Sequence, residues 1–244
     1  MHALYEDATD GGWDLEGAQR NDFATVNAYL RTRAGGSILD IGCYTGGFFG
    51  ALPESFRKYG LEPSRSASDR ARAKGIVILG KTLDDLDATH LFDVVVAIDV
   101  VEHLLDVESF LLGALAHVDK GGALIISTGN PDSFYWSRVF KSKFWYCSNA
   151  EHVVFPSYRY YREFAARCGL PDPEQICFAH RVASFPLAVF YGVSQIIFGL
   201  SPVWYRTWRK LLRRMKGNRE PLPPDIPLTA PGIFKDHHAI IFRK

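Results

Sequence analysis

A chain of 244 residues with 47% apolar side chains and a formal net charge of +1 can bury a sizeable core, and its composition excludes a disordered chain and any overall bias towards nucleic acid. The four cysteines, Cys43, Cys147, Cys168 and Cys177, show no Cys-x-x-Cys spacing, which argues against zinc or a disulfide framework and predicts free thiols. No basic stretch leads into an apolar run at the N-terminus, so no secretory signal is predicted and a cytoplasmic protein is expected, built as one domain over 1–244.

Residues 1–20 are polar, with Trp13 as the main anchor, and predict no firm element. Phe23, Val26, Asn27 and Leu30 recur at helical spacing, so 21–33 reads as an amphipathic helix laid across a sheet and ended by Gly35-Gly36. A first strand runs to Ile41, and a helix from about Gly46 carries Phe48, Phe49 and Leu52. Short strands near 58–61 and 75–79 flank a basic helical stretch at 66–74. The valine-rich run 92–98 is apolar almost throughout, as a central parallel strand covered on both faces would be. A helix over 104–118 is expected to stop at Gly121-Gly122, and a fifth strand over 123–127 leads into a loop, Thr-Gly-Asn-Pro-Asp-Ser. Aromatic residues crowd 134–146, then Ser157 caps a helix with the stripe Tyr161, Phe164, Ala165 and Cys168. Strands are predicted at 175–182 and 237–242.

The stretch 38–48, Ile-Leu-Asp-Ile-Gly-Cys-Tyr-Thr-Gly-Gly-Phe, reads as strand, tight turn and helix start. Asp40 falls at the strand's carboxyl end, Gly42 permits the turn, and Gly46 and Gly47 let backbone approach a ligand. The spacing Asp-x-Gly-x-x-x-Gly departs from the Gly-x-Gly-x-x-Gly of dinucleotide sites, and an acid there suits an amino-bearing ligand better than a diphosphate. Glu62 follows where α/β nucleoside sites place the acid that receives ribose hydroxyls. Asp99 closes the central strand on the same edge.

With 92–105, 121–130 and the closing His-His-Ala-Ile-Ile-Phe-Arg-Lys, these motifs resemble the class I S-adenosylmethionine-dependent methyltransferases, in the group of ubiquinone-biosynthesis-like, type 11 and type 23 domains. The resemblance implies an α/β, Rossmann-like doubly wound sheet of seven strands in the order 3-2-1-4-5-7-6, mostly parallel with an antiparallel last strand. It implies S-adenosylmethionine as cofactor, with S-adenosylhomocysteine as product, held by Asp40, Gly42, Tyr44, Gly46, Glu62, Leu83 and Asp99. The last of these would lie near the methionine end, and the segment around Leu83 near the adenine. Two other classes stay in view: a silent S-adenosylmethionine-binding regulatory domain, and a nicotinamide-dependent oxidoreductase, against which the wide glycine turn speaks.

A sulfonium methyl is already activated, so the protein's main task is to align the acceptor, and a hydroxyl acceptor also needs a general base. His103 and His152 are the candidate bases. Oxygen is favoured over nitrogen because Gly-Asn-Pro-Asp stands where many amino-group methylators carry Asn-Pro-Pro-Tyr. Asp99-Val-Val-Glu102-His103 also resembles the acid-x-x-Glu-His of quinone-biosynthesis O-methyltransferases, in which it can hold magnesium, manganese or zinc. Glu-His is equally common in members without metal, so no metal ligand is assigned.

Between the last two strands an insertion, 183–235, has a character of its own. No charged side chain occurs over 182–205, after which Arg206, Arg209, Lys210, Arg213, Arg214, Lys216 and Arg219 alternate with Trp208, Leu211 and Leu212. A single membrane crossing is excluded because the last strand must return to the same sheet. Two readings stay open: a lid over the site, or an anionic membrane surface met through 183–219 at the inner face of a membrane. The expected acceptor is a small molecule or lipid-linked, such as a quinone or sugar, and no nucleic acid is expected.

Overall fold

The computed structural model describes residues 20–180, 185–216 and 235–244. The polar start with Trp13, the end of the strand expected to reach Val182, and Arg219 lie outside the described residues.

Seven strands form one sheet in the order β3-β2-β1-β4-β5-β7-β6. They are β1 (Gly36–Ile41), β2 (Phe56–Leu61), β3 (Val77–Gly80), β4 (Phe92–Ile98), β5 (Val118–Gly129), β6 (Glu174–Phe178) and β7 (His237–Arg243). β7 runs antiparallel to both its neighbours, and every other pairing is parallel. The valine run of β4 lies at the centre because it can be covered on both faces. Val95 and Ala97 face one core with Leu124, Ile126 and Ile240, while Val94 and Val96 face the other with Ile38, Ile125 and Ile241.

The first face is closed by α3 (Val107–Ala116) and α4 (Tyr158–Arg167), which supply Leu111, Ala114, Tyr161 and Phe164. The second is closed by α1 (Asn21–Leu30) through Val26 and Leu30, and by α2 (Arg65–Ala73) through Ala71. The start of α1 is tied to the end of β6, where Asn21 donates its backbone N–H to His180 O at 3.2 Å and its side-chain amide to Ala179 O at 2.8 Å. This brings Arg20 over the carboxyl edge of the sheet.

Three elements differ from the sequence expectation. The helix expected from Gly46 is a 3-10 turn, Gly47–Ala51, whose aromatic pair Phe48 and Phe49 is buried beneath α1. The helix expected over 104–118 begins later, because Asp106 caps α3 by accepting the Ser109 N–H at 3.0 Å. That leaves Val101–His103 as a separate 3-10 turn. Gly121 and Gly122 do not stop α3; they lie inside β5, beside an irregularity in its pairing with β4.

The connection from β6 to β7 carries the charge-free helix α5 (Phe185–Leu200) and the basic helix α6 (Pro202–Lys216), which pack on each other. Among the described residues no helix is long and apolar enough to cross a membrane.

Candidate active site

The carboxyl ends of β1, β2 and β4 place Asp40, Glu62 and Asp99 on one edge, as the motif order predicts. Asp40 is buried, and burial followed by the neighbouring Glu62 charge pushes its carboxyl well above the usual range. Glu62 is raised by burial, an effect opposed by the two amides it accepts, those of Ser64 and Tyr44, each at 2.8 Å. The pair of bonds ties the glycine turn to the end of β2. Tyr44 sits in that turn with φ 49°, and Gly42 and Gly46 have φ 76° and 75°. At Gly46 a Cβ would lie 2.0 Å from Ile76 Cδ1, so the close approach there is made to the wall behind the turn. Leu83 is half-buried in a short 3-10 turn fastened by Thr82 and Asp85, at the end of β3.

Asp99 adopts φ 53° and pairs with Arg20 at 2.5 Å. Burial alone would raise its carboxyl, but the Arg20 guanidinium holds it at about 2. Arg20 also pairs with the buried Asp22. Sequence reasoning missed Arg20, whose only signal was an Arg-Asn-Asp run at the mouth of a helix.

The two candidate bases come together. His103 and His152 stand 4.9 Å apart between ring centroids, edge to face. His103 Nδ1 lies 3.1 Å from Glu151 O, whereas both nitrogens of His152 are engaged, Nδ1 with Tyr146 O at 2.9 Å and Nε2 with the Asn149 amide at 3.1 Å. Burial pushes His152 down to about 4, so it is neutral at physiological pH.

Beneath them lies Glu102, fully buried, receiving the hydroxyls of Tyr146 and of Thr128, the latter at 2.9 Å. Burial first, and then the Asp99 charge, raise its carboxyl to about 8. Tyr146 reaches it because Gly129 has no side chain: a Cβ there would meet the tyrosine ring at 2.5 Å. Tyr146 was likewise missed, since a ring in an aromatic-rich stretch gives no sign of which strand end it will meet.

Glu102, His103 and His152 present one ligand atom each within 4.8 Å of one another. Each Glu102 oxygen already accepts one hydroxyl and His152 Nε2 meets the Asn149 amide, so a cation there would compete with these bonds. No metal ligand is assigned, and no step below runs through a metal.

A family model described as a methyltransferase domain matches residues 18–172, which hold the glycine turn, Glu62, Asp99 and both candidate bases. The chain belongs to the methyltransferase domain family. Its curated relatives include the ubiquinone biosynthesis O-methyltransferase of Escherichia coli O9:H4, 30% identical over 173 residues, which are 62% of this chain and 67% of that protein. The protein of the same name from Rickettsia conorii is 35% identical over 102 residues, 38% of this chain and 35% of that protein. This methyltransferase domain thus spans about a third of the length of that relative. A solved methyltransferase of Thermotoga maritima, described as a possible histamine N-methyltransferase, has a TM-score of 0.57 at 18% identity, covering 95% of this chain and 92% of its own. Coclaurine N-methyltransferase bound to N-methylheliamine and S-adenosylhomocysteine has a TM-score of 0.58 at 14% identity, covering 99% of this chain and 80% of its own. Both structural likenesses speak to the fold.

Proposed function

We propose that this methyltransferase domain transfers the methyl group of S-adenosylmethionine to an oxygen of a quinone-like or other amphiphilic acceptor. The observation that carries the reading is the glycine turn locked to Glu62 at the carboxyl edge of β1 and β2, inside the matched stretch. In it, Asp40, Gly42, Tyr44, Gly46, Glu62, Leu83 and Asp99 form the cofactor side. The names of the curated relatives support oxygen as the receiving atom and a quinone-like acceptor.

The two histidines take different parts. His103, with Nδ1 set by the Glu151 carbonyl, has Nε2 available to take the acceptor's proton. His152, neutral and bound at both nitrogens, orients the wall beside it. As the acceptor oxygen forms its bond to the methyl carbon, its proton passes to His103 and the carbon–sulfur pair returns to sulfur. Incubation with S-adenosylmethionine and a water-soluble hydroquinone, followed by measurement of S-adenosylhomocysteine formed, tests this. His103→Ala is expected to lower turnover about 100-fold, the scale of a lost general base. An unchanged rate would remove the base, and no product from the wild type with any hydroxylated acceptor would remove the reaction.

The insertion supports delivery of the acceptor from an anionic membrane surface. Phe185, Val189, Val193, Ile196 and Leu200 of α5 are all exposed, and their spacing of three and four sets them on one helical face. Val203 and Trp204 at the start of α6 are exposed as well. A groove of about 430 Å³ beside it is walled by Arg138, Lys141 and Lys143 and by Ile196 and Leu200, a pairing of cations with apolar surface that suits a lipid headgroup region. The sequence has no acidic residue over 182–219 to oppose such a surface.

A further inference from the structure

Beside Tyr146, the carboxyl edge holds a second polar group, of which the chemistry above uses only Asp99. Asp99 Oδ1, His180 Nδ1 and His237 Nε2 are buried and have no hydrogen-bond partner. They belong to three strand ends: Asp99 follows β4, His180 follows β6, and His237 opens β7. The rings of His180 and His237 lie 4.5 Å apart between centroids, and the Asp99 charge acts on both. The His237 ring in turn meets Tyr146 edge to face at 4.9 Å. Buried polar atoms in folded proteins nearly always find partners, so orphans on two adjoining rings and on the acid whose charge acts on both point to a polar ligand or water between these strand ends.

The bonds already made define what is missing. Arg20 holds Asp99 through Oδ2, which matches the carboxylate's charge and leaves Oδ1 as an acceptor. His237 Nδ1 faces Asp236 Oδ1 at 3.2 Å, and Asp236 is itself fixed by the Trp145 Nε1–H at 3.2 Å and the His180 backbone N–H at 2.9 Å. That carboxylate keeps the imidazole proton on Nδ1, so Nε2 presents a lone pair. His180, pushed down to about 4 by burial and by His237, is neutral and can accept or donate at Nδ1. The group therefore calls for hydrogen-bond donors. Because the Asp99 charge is already matched, a neutral hydroxyl suits it better than a second cation.

We propose that Asp99, His180 and His237 form a subsite for a hydroxyl-bearing headgroup of the acceptor, with His237 a positioning residue oriented by Asp236. The occupant's identity as the acceptor rests on the methyl-transfer reading, whereas the subsite itself does not. His237 is flanked by Asp236, Asp99 and Asp22, which favour its protonation, and by His180, His238, His152 and Tyr146. Burial opposes the proton, but the bond and charge of Asp236 outweigh it and raise the imidazole above its ordinary value. Protonation turns Nε2 from acceptor to donor, so a hydroxyl must turn from donating to this nitrogen to accepting from it, and its affinity changes as pH drops through that raised value.

Calorimetric titration of protein saturated with S-adenosylhomocysteine, using catechol, its dimethyl ether and benzylamine as probes, tests the subsite. Catechol is expected to bind, with the dimethyl ether and His237→Phe each costing about tenfold, the scale of one lost hydrogen bond. His237→Gln, which keeps an acceptor near the Nε2 position but cannot titrate, is expected to retain catechol and lose the pH dependence. Equal catechol affinity in wild type and His237→Phe, or equal binding of the dimethyl ether, would overturn the proposal. Tighter binding of benzylamine would make the place a cation site, and no catechol binding would make it a water-filled pocket; either result rejects the subsite. Failure of S-adenosylhomocysteine itself to bind would reject the methyl-transfer reading instead, and catechol titration of the unloaded protein would still judge the subsite.

Discussion

Glu102 is the side chain on which burial and hydrogen bonding pull in opposite directions. Its two hydroxyl donors, Tyr146 and Thr128, suit an ionised carboxylate, while burial and the Asp99 charge raise it to about 8. A carboxyl raised in the folded state keeps its proton where the unfolded chain has lost it. Its contribution to stability is therefore complete below the unfolded value of about 4.3 and is lost as pH rises through about 8. Glu102→Gln cannot ionise. Urea midpoints measured from acid to mildly alkaline pH are expected to show the variant gaining on wild type up to about pH 8 and then levelling. A difference that stays constant over this range would show that Glu102 loses its proton at the same pH in the folded and the unfolded chain. At this scale the sequence was legible where partners are local: Asp40, Gly42 and Glu62 announce themselves by spacing along two adjoining strands. It was silent where partners are distant. Arg20 meets Asp99 across 79 positions and Tyr146 meets Glu102 across 44, and no periodic pattern records such pairs.

The hairpin of α5 and α6 shows the same limit for whole elements. A run without charge can fold inward or face outward, and composition is identical in both cases. The structure separates them by turning one face of α5 outward, from Phe185, 80% exposed, to Leu200, 71% exposed. Burial of such a face in lipid contributes roughly 25 cal/mol for each Å² removed from water, and each cation near anionic headgroups adds about 1 kcal/mol. Wild-type protein is expected to float with anionic vesicles and to be released by salt, while Val193→Asp with Ile196→Asp weakens flotation about tenfold or more at unchanged helicity. Flotation unaffected by the double substitution would place the contact elsewhere. No flotation of the wild type would leave the hairpin as a lid. Most other elements were read correctly in kind, though not all in extent. The valine run of β4 matched because burial on both faces leaves an unbroken apolar signal, whereas α3 was read too long because the Asp106 cap lay within the apolar pattern.

At the scale of the molecule, the strand order follows from the succession of motifs along the chain, and it fixes where chemistry can occur. Parallel strands β1, β2, β4 and β5 end on one edge, and the antiparallel β7 begins there, so acids, glycine turn and histidines meet at one crevice. The central claim is that this crevice holds S-adenosylmethionine through the turn that Glu62 locks. Calorimetric titration with S-adenosylhomocysteine measures it most directly. The account predicts saturable binding at one site per chain, weakened about tenfold or more in Asp40→Ala and in Glu62→Gln, each of which removes a carboxyl group at the crevice. Binding of a nicotinamide dinucleotide in its place, or affinity for S-adenosylhomocysteine unchanged in both variants, would contradict it.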